Sequence, residues 1–116
     1  MVQAGLTLSN VQHNVNGVKV MSGQEVAIAY QLFRQCEPGT VVASATADAP
    51  FKFILGGNTV IRGFEMAVEQ LSIGDKATAH VMSDYAYGKV GQPPDILDNE
   101  DLIIQLEVVS ARNVDL

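Results

Sequence analysis

The longest regular alternation in the chain runs from Glu25 to Phe33, where Val26, Ile28, Tyr30 and Leu32 fall on one side of a period-two pattern. Every second side chain of a β-strand shares a face, so this segment predicts a strand with an apolar inner face. Shorter alternations surround it. Leu6, Leu8 and Val11 form one and Val18-Lys19-Val20 another, and Asn16-Gly17 between them suits the positive φ of a tight turn. Glu37-Pro38-Gly39 has turn chemistry and predicts a hairpin into the strand Thr40 to Ser44. The small, weakly patterned ATADAP then precedes a strand in which Phe51, Phe53 and Leu55 alternate with Lys52 and Ile54, ended by Gly56-Gly57. Ala77 to Met82 and Leu102 to Val109 are the remaining β-rich runs.

One stretch has a helical period. Val60, Ile61, Phe64, Ala67, Val68 and Leu71 recur every three or four residues, and Gly74 stands where a left-handed C-terminal cap belongs. Gly63 inside it is unfavourable by about 1 kcal/mol relative to alanine, which predicts a close packing contact there. The sum is an α+β arrangement in which an antiparallel sheet covers a single helix. Nineteen residues stay outside the pattern: SDYAYGKVGQPPDILDNED, Ser83 to Asp101. A loop of this length in a small domain is a functional lid or a linker.

Composition narrows the function. The 116 residues suffice for one domain, residues 1–116, which can equally be one unit of a longer chain, and 47% of them are apolar, against disorder. A formal charge of −6 repels nucleic acid and anionic membranes. The single cysteine, Cys36, cannot form an internal disulfide, so a reducing, cytoplasmic setting is expected. The N-terminal MVQAGLTLSNVQHN has no basic stretch followed by an apolar core, and no apolar run approaches the length of a membrane span, so neither a targeting signal nor a membrane partner is expected.

The search for reaction centres is mostly negative. There is no Gly-rich phosphate loop and no closely spaced His or Cys pair; His13 and His80 stand far apart, so neither a metal nor a cofactor is expected. Cys36 reads as a free thiol near a turn, and His80 as a structural histidine in a strand. Asp95, Asp98, Glu100 and Asp101 do not match a Ca²⁺ loop and read as a solvated acidic segment. What remains is Tyr30, Phe51, Phe53, Phe64, Tyr85 and Tyr87, with Val60 and Ile61 at the helix entrance. These are either core residues or a pocket. Buried tyrosine hydroxyls need partners, and first-turn backbone N–H groups lack intrahelical acceptors, which favours the pocket.

The segment PFKFILGGNTVIRGFEMAVEQLSIGDKATAHVMSDYAYGKVG resembles the FKBP family of peptidyl-prolyl cis-trans isomerases. The family carries a P-F-x-F-x-L-G strand, a V-I-x-G-[WF]-E helix start, an [ML]-S-x-G-x-[KR]-A turn and a D-Y-A-Y-G loop in this order. The likeness continues to LIIQLEVVS and, more faintly, back to about Leu6. It implies a five- to six-stranded antiparallel sheet curled around one short α-helix. It also implies catalysis of Xaa-Pro rotation by Tyr30, Phe64 and Tyr87, with Val42, Phe51, Val60, Ile61, Ile96 and Ile104 binding substrate or ligand. Ile61 would offer its backbone N–H, Tyr87 its hydroxyl, and Ile96 an inward contact from the overhanging loop.

Where relatives place a Phe-Asp pair, this chain has Val42-Ala43, beside an indel in QLFRQCEPG. The resemblance therefore implies a monomeric isomerase weakened in activity and in macrolide binding (tacrolimus, rapamycin), acting on Xaa-Pro segments of client proteins. The alternative is a non-catalytic interaction or chaperone module of the same fold; a third reading is a structural β domain whose aromatics are core. Asp95 and Pro94 in the loop suggest a preference for basic peptides.

Overall fold

The alternating segments pair into one antiparallel sheet in the computed structural model, which describes residues 2–3, 5–57, 60–86 and 100–114. In chain order the strands are β1 (Val2–Gln3), β2 (Leu6–Gln12), β3 (Glu25–Arg34), β4 (Glu37–Ala45), β5 (Phe51–Ile54), β6 (Lys76–Val81) and β7 (Leu102–Arg112). The one α-helix, α1 (Arg62–Val68), lies between β5 and β6, and a 3₁₀ turn, Ser83–Tyr85, follows β6. The sheet order is β1-β2-β6-β7-β3-β4, with β5 also beside β3. This is the expected α+β fold, with six strands and a two-residue seventh at the edge.

Strand β3 is the spine. One edge pairs with β7 over its whole length, from Glu25 opposite Arg112 to Arg34 opposite Leu102. The other edge is shared: Glu25 to Ile28 pair with β5, and Tyr30 to Arg34 with β4. The inward residues make one core. Val26, Ile28, Leu32, Ile104 and Val108 are at most 2% exposed, and Ala79 and Val81 continue the surface on β6. Seven residues are too few for a stable free helix. Phe64, Ala67 and Val68 hold α1 on the sheet, and burial of Phe64 and Val68 contributes about 1.5–3 kcal/mol each.

Gly63 has the close contact its position predicts. A Cβ there would lie 2.5 Å from Val81 Cγ1 and 2.9 Å from Cγ2, so only glycine lets helix and strand approach this far.

Three local expectations are corrected. Val18 to Val20 is not a strand; Lys19 makes one bridge to Ser72, while Val20 is buried and Val18 is exposed. The β3–β4 hairpin turns at Gln35-Cys36, with Arg34 opposite Glu37, rather than at Glu37-Pro38-Gly39. Pro38, Gly39 and Thr40 instead fill a bulge, since Phe33 is already opposite Val41; a bulge accepts a residue without a backbone N–H. Gly74 does adopt positive φ (+91°), but the helix ends at Val68 and its cap residue Glu69 is right-handed. Gly74 belongs to the turn Ser72–Asp75, where its N–H donates to Val108 O at 2.8 Å.

That turn holds a carboxylate the sequence did not single out. Asp75 is 1% exposed. Its Oδ1 accepts the Asn14 N–H at 2.7 Å, and its Oδ2 accepts the Ser72 N–H at 2.8 Å and His13 Nδ1 at 2.9 Å. Burial pushes this carboxyl up, but the two backbone N–H groups and His13 outweigh it and hold the group below its ordinary range.

Candidate active site

Three elements each deliver one aromatic ring to the same place. Tyr30 sits midway along β3, opposite Ala45 on one side and Leu106 on the other. Phe51 opens β5 opposite Ile28, and Phe64 lies in the first turn of α1. The Tyr30 and Phe64 centroids are 5.1 Å apart with the planes at 77°, and Tyr30 and Phe51 are 6.0 Å apart at 73°. Phe51 and Phe64 are 6.2 Å apart, and Phe53 stacks behind Phe51 at 5.9 Å. Edge-to-face pairs of this kind fix ring orientation beyond what area burial supplies.

Phe64 is buried, while Tyr30 and Phe51 are half-buried, so the trio has a packed floor and an open wall. Val42, Ala43, Val60 and Ile61 are likewise half-buried and packed against the hydrophobic core. Burial pushes the Tyr30 phenol above its ordinary pKa of 10.0 by disfavouring the phenolate. Ile61 is the N-cap of α1 in an extended conformation, φ −59° and ψ 146°. Among the described residues its N–H meets no backbone acceptor, whereas its carbonyl accepts from Phe64 N–H at 3.1 Å.

Ile104 is fully buried, opposite Leu32 and Ala79, and so lies on the same inner sheet face as Tyr30. Tyr87 and Ile96, like Pro94, Asp95 and Asp98, lie outside the described residues. Tyr85 packs its ring over Gly5, where no Cβ would fit, with the Arg62 guanidinium 5.7 Å from the ring centroid. Cys36 is exposed in the β3–β4 turn, and His80 is exposed on β6.

The acidic exit of the long loop has a structural role. Asp101 Oδ1 accepts the Ser83 N–H at 2.8 Å, joining the two ends of the segment, and Asp101 O accepts the Gln35 N–H at 3.0 Å. Arg34 Nε donates to Glu100 Oε2 at 2.5 Å, and this carboxylate holds the guanidinium above its ordinary pKa. Glu100 and Asp101 therefore clamp the stem of the loop to the end of β3. Among the described residues no three His, Cys, Asp or Glu side chains converge as metal ligands, and no helix is long and apolar enough to cross a membrane.

What sequence reasoning missed at the site is Ala45, whose position opposite Tyr30 follows only from strand register. The chemistry this arrangement allows is apolar. A half-open aromatic cradle without a nucleophile or acid–base pair among its described residues can hold and desolvate a small ring and an amide.

The comparisons agree with this geometry. A profile of the FKBP-type peptidyl-prolyl cis-trans isomerase family matches residues 16–109. The chain is 37% identical over 92 residues to the Peptidyl-prolyl cis-trans isomerase Fkbp12 of Drosophila melanogaster, covering 78% of this chain and 83% of that protein. It is 31% identical over 98 residues to the FK506-binding protein 1A of Aspergillus fumigatus, covering 84% and 88%. It is also 28% identical over 108 residues to the FK506-binding protein 4 of Rhizopus delemar, covering 93% of this chain but only 28% of that longer protein. The antiparallel sheet with one helix is thus that of a prolyl isomerase class. The chain belongs to the FKBP-type peptidyl-prolyl cis-trans isomerase family.

Proposed function

We propose that the chain accelerates rotation about Xaa-Pro bonds of client proteins, with the prolyl ring seated against Tyr30, Phe51 and Phe64. The convergence of these three rings from β3, β5 and α1, within 6.2 Å of one another, carries the reading. The uncatalysed rotation meets a barrier of about 18–20 kcal/mol because the amide loses resonance. No covalent step is needed: a cradle that excludes water and binds the twisted amide better than either planar form lowers the barrier. Val42, Val60 and Ile61 line the entrance, and the Ile61 N–H offers a donor to a substrate carbonyl. Tyr87 and Ile96 act from the loop, Tyr87 through its hydroxyl, and Ile104 contributes to the floor from β7.

The activity is weakened by Ala43. This residue pairs with Leu32, which puts it on the sheet face that carries Tyr30, and by the resemblance it takes the position of the family's pocket aspartate. Loss of one charged hydrogen-bonding partner costs about 1–3 kcal/mol, or about tenfold to a hundredfold in rate. Macrolides such as tacrolimus or rapamycin bind more weakly for the same reason, and Asp95 in the loop shifts preference toward basic peptides. The domain works as a monomer, whether alone or as one unit of a longer chain, and in a reducing compartment such as the cytoplasm, which suits the exposed Cys36 thiol. A protease-free isomerisation assay at micromolar protein tests the proposal: a rate above background is expected, and none would refute it.

The alanine at position 43 also favours a second reading, a non-catalytic module that retains the pocket to dock Xaa-Pro segments or act as a chaperone. Ala43→Asp separates the two, raising turnover under the first and leaving binding unchanged under the second.

A further inference from the structure

Strand β4 ends the sheet, and among the described residues its only ladder partner is β3. A strand in that position turns the N–H and C=O of every second residue outward, unpaired, a template for another extended chain. Protein edges are normally blunted by charge, proline or bulges. Here those devices gather at one end: Glu37, Pro38 and the bulge through Thr40. From Val41 to Ala45 the sequence is VVASA, without a charge or a proline, and a one-residue bulge at Val42 is its one interruption.

The exposed edge leads to the aromatic rings. Ala43 and Ala45 face the same side as Leu32 and Tyr30, and their methyl groups put no bulky side chain between the edge and Tyr30. Along β3 the ladder breaks after Ala45 and resumes with Phe51 opposite Ile28, and Phe51 is 6.0 Å from Tyr30. A chain laid along β4 lies one strand spacing, about 4.8 Å, from the row that β4 and β5 share, so at that break it runs beside Phe51, and only the Ala43 and Ala45 methyl groups separate it from Tyr30 on β3. A second copy of the protein is the poorer occupant, because two chains each of charge −6 repel on approach.

We propose that the outer edge of β4, Val41 to Ala45, captures an extended segment of the client as an added strand and delivers the neighbouring prolyl residue to Tyr30 and Phe51. This rests on the pocket reading above and adds to it a binding surface for the flanking chain, recognised through backbone rather than side chains.

The test compares three peptides by NMR titration and amide exchange: a proline tetrapeptide, the same core with six more extended residues, and that longer peptide N-methylated at alternate flanking amides. The longer peptide is expected to bind about tenfold tighter than the tetrapeptide, the gain from one or two net hydrogen bonds. It should also slow exchange within Val41 to Ala45, with N-methylation abolishing both effects. Equal affinities with unchanged exchange in β4 overturn the capture, while tetrapeptide shifts at Tyr30 and Phe51 leave the pocket reading intact. Absence of those shifts with every peptide overturns both readings. Protection of β4 that appears when the protein alone is concentrated, together with dimers in sedimentation, assigns the edge to a second copy and overturns the proposal.

Discussion

Replacing Asp75 by asparagine tests how the loops behind the sheet are held. The carboxylate uses both oxygens for three donors, Asn14 N–H, Ser72 N–H and His13 Nδ1. An amide of the same shape keeps one acceptor oxygen and turns an NH₂ group toward at least one of these donors. Hydrogen bonds to a charged acceptor contribute about 1.5–3 kcal/mol and a stranded buried donor costs about 1–3 kcal/mol, so Asp75→Asn should destabilise by about 2–4 kcal/mol. Against a typical total of about 5–15 kcal/mol this is large. The pH dependence adds a second readout. The folded pKa of Asp75 lies below the ordinary 3.8, so its stabilisation is complete above that value and is lost as pH falls through the folded pKa. Urea unfolding followed by far-UV circular dichroism suits a chain without tryptophan. The wild type should lose more stability than Asp75→Asn on acidification through this window. An unchanged urea midpoint at neutral pH, or an identical acid slope in both proteins, would refute the reasoning.

Three further outcomes are expected. Gly63→Ala gains about 1 kcal/mol of helix propensity but drives a methyl into Val81, an overpacking cost of about 1–3 kcal/mol, so thermal melting should show net destabilisation; a more stable variant would contradict the contact. Ala43→Asp should raise kcat/KM for an Xaa-Pro peptide about tenfold or more, read in the coupled-enzyme-free assay; unchanged turnover alongside intact peptide binding favours the non-catalytic module. Because burial raises the Tyr30 pKa, the phenol stays neutral through the ordinary range, and the pH–rate profile should show no inflection from it below pH 10.0; an inflection there that disappears in Tyr30→Phe would overturn this.

Much of the fold was legible because it is written in local period. The alternation through Val26, Ile28 and Leu32 predicted β3, and the three-and-four spacing around Phe64, Ala67 and Val68 predicted α1, since a side chain's face follows from backbone geometry alone. Even the packing role of Gly63 could be read, because a glycine inside a helical pattern needs a steric reason. The order of motifs from Phe51 to Gly88 pointed to the family without any coordinates. The turn signal at Pro38-Gly39 misled, because proline and glycine suit a bulge as well as a hairpin loop, and only the ladder between Arg34 and Glu37 distinguishes them.

What the tertiary structure decided is register and convergence. The sequence by itself determined which residues are apolar, aromatic or turn-forming and which segments are the main strands and the helix. It did not determine that Tyr30 faces Ala45, that Ile104 is wholly buried, or that His13, Asn14 and Ser72 meet on Asp75 some sixty residues from the first two. These depend on which strands pair and how far the helix descends onto the sheet, a choice made by burial of the whole core at once. Hydrophobic packing acts through contacts distant along the chain, so no local window of residues contains it.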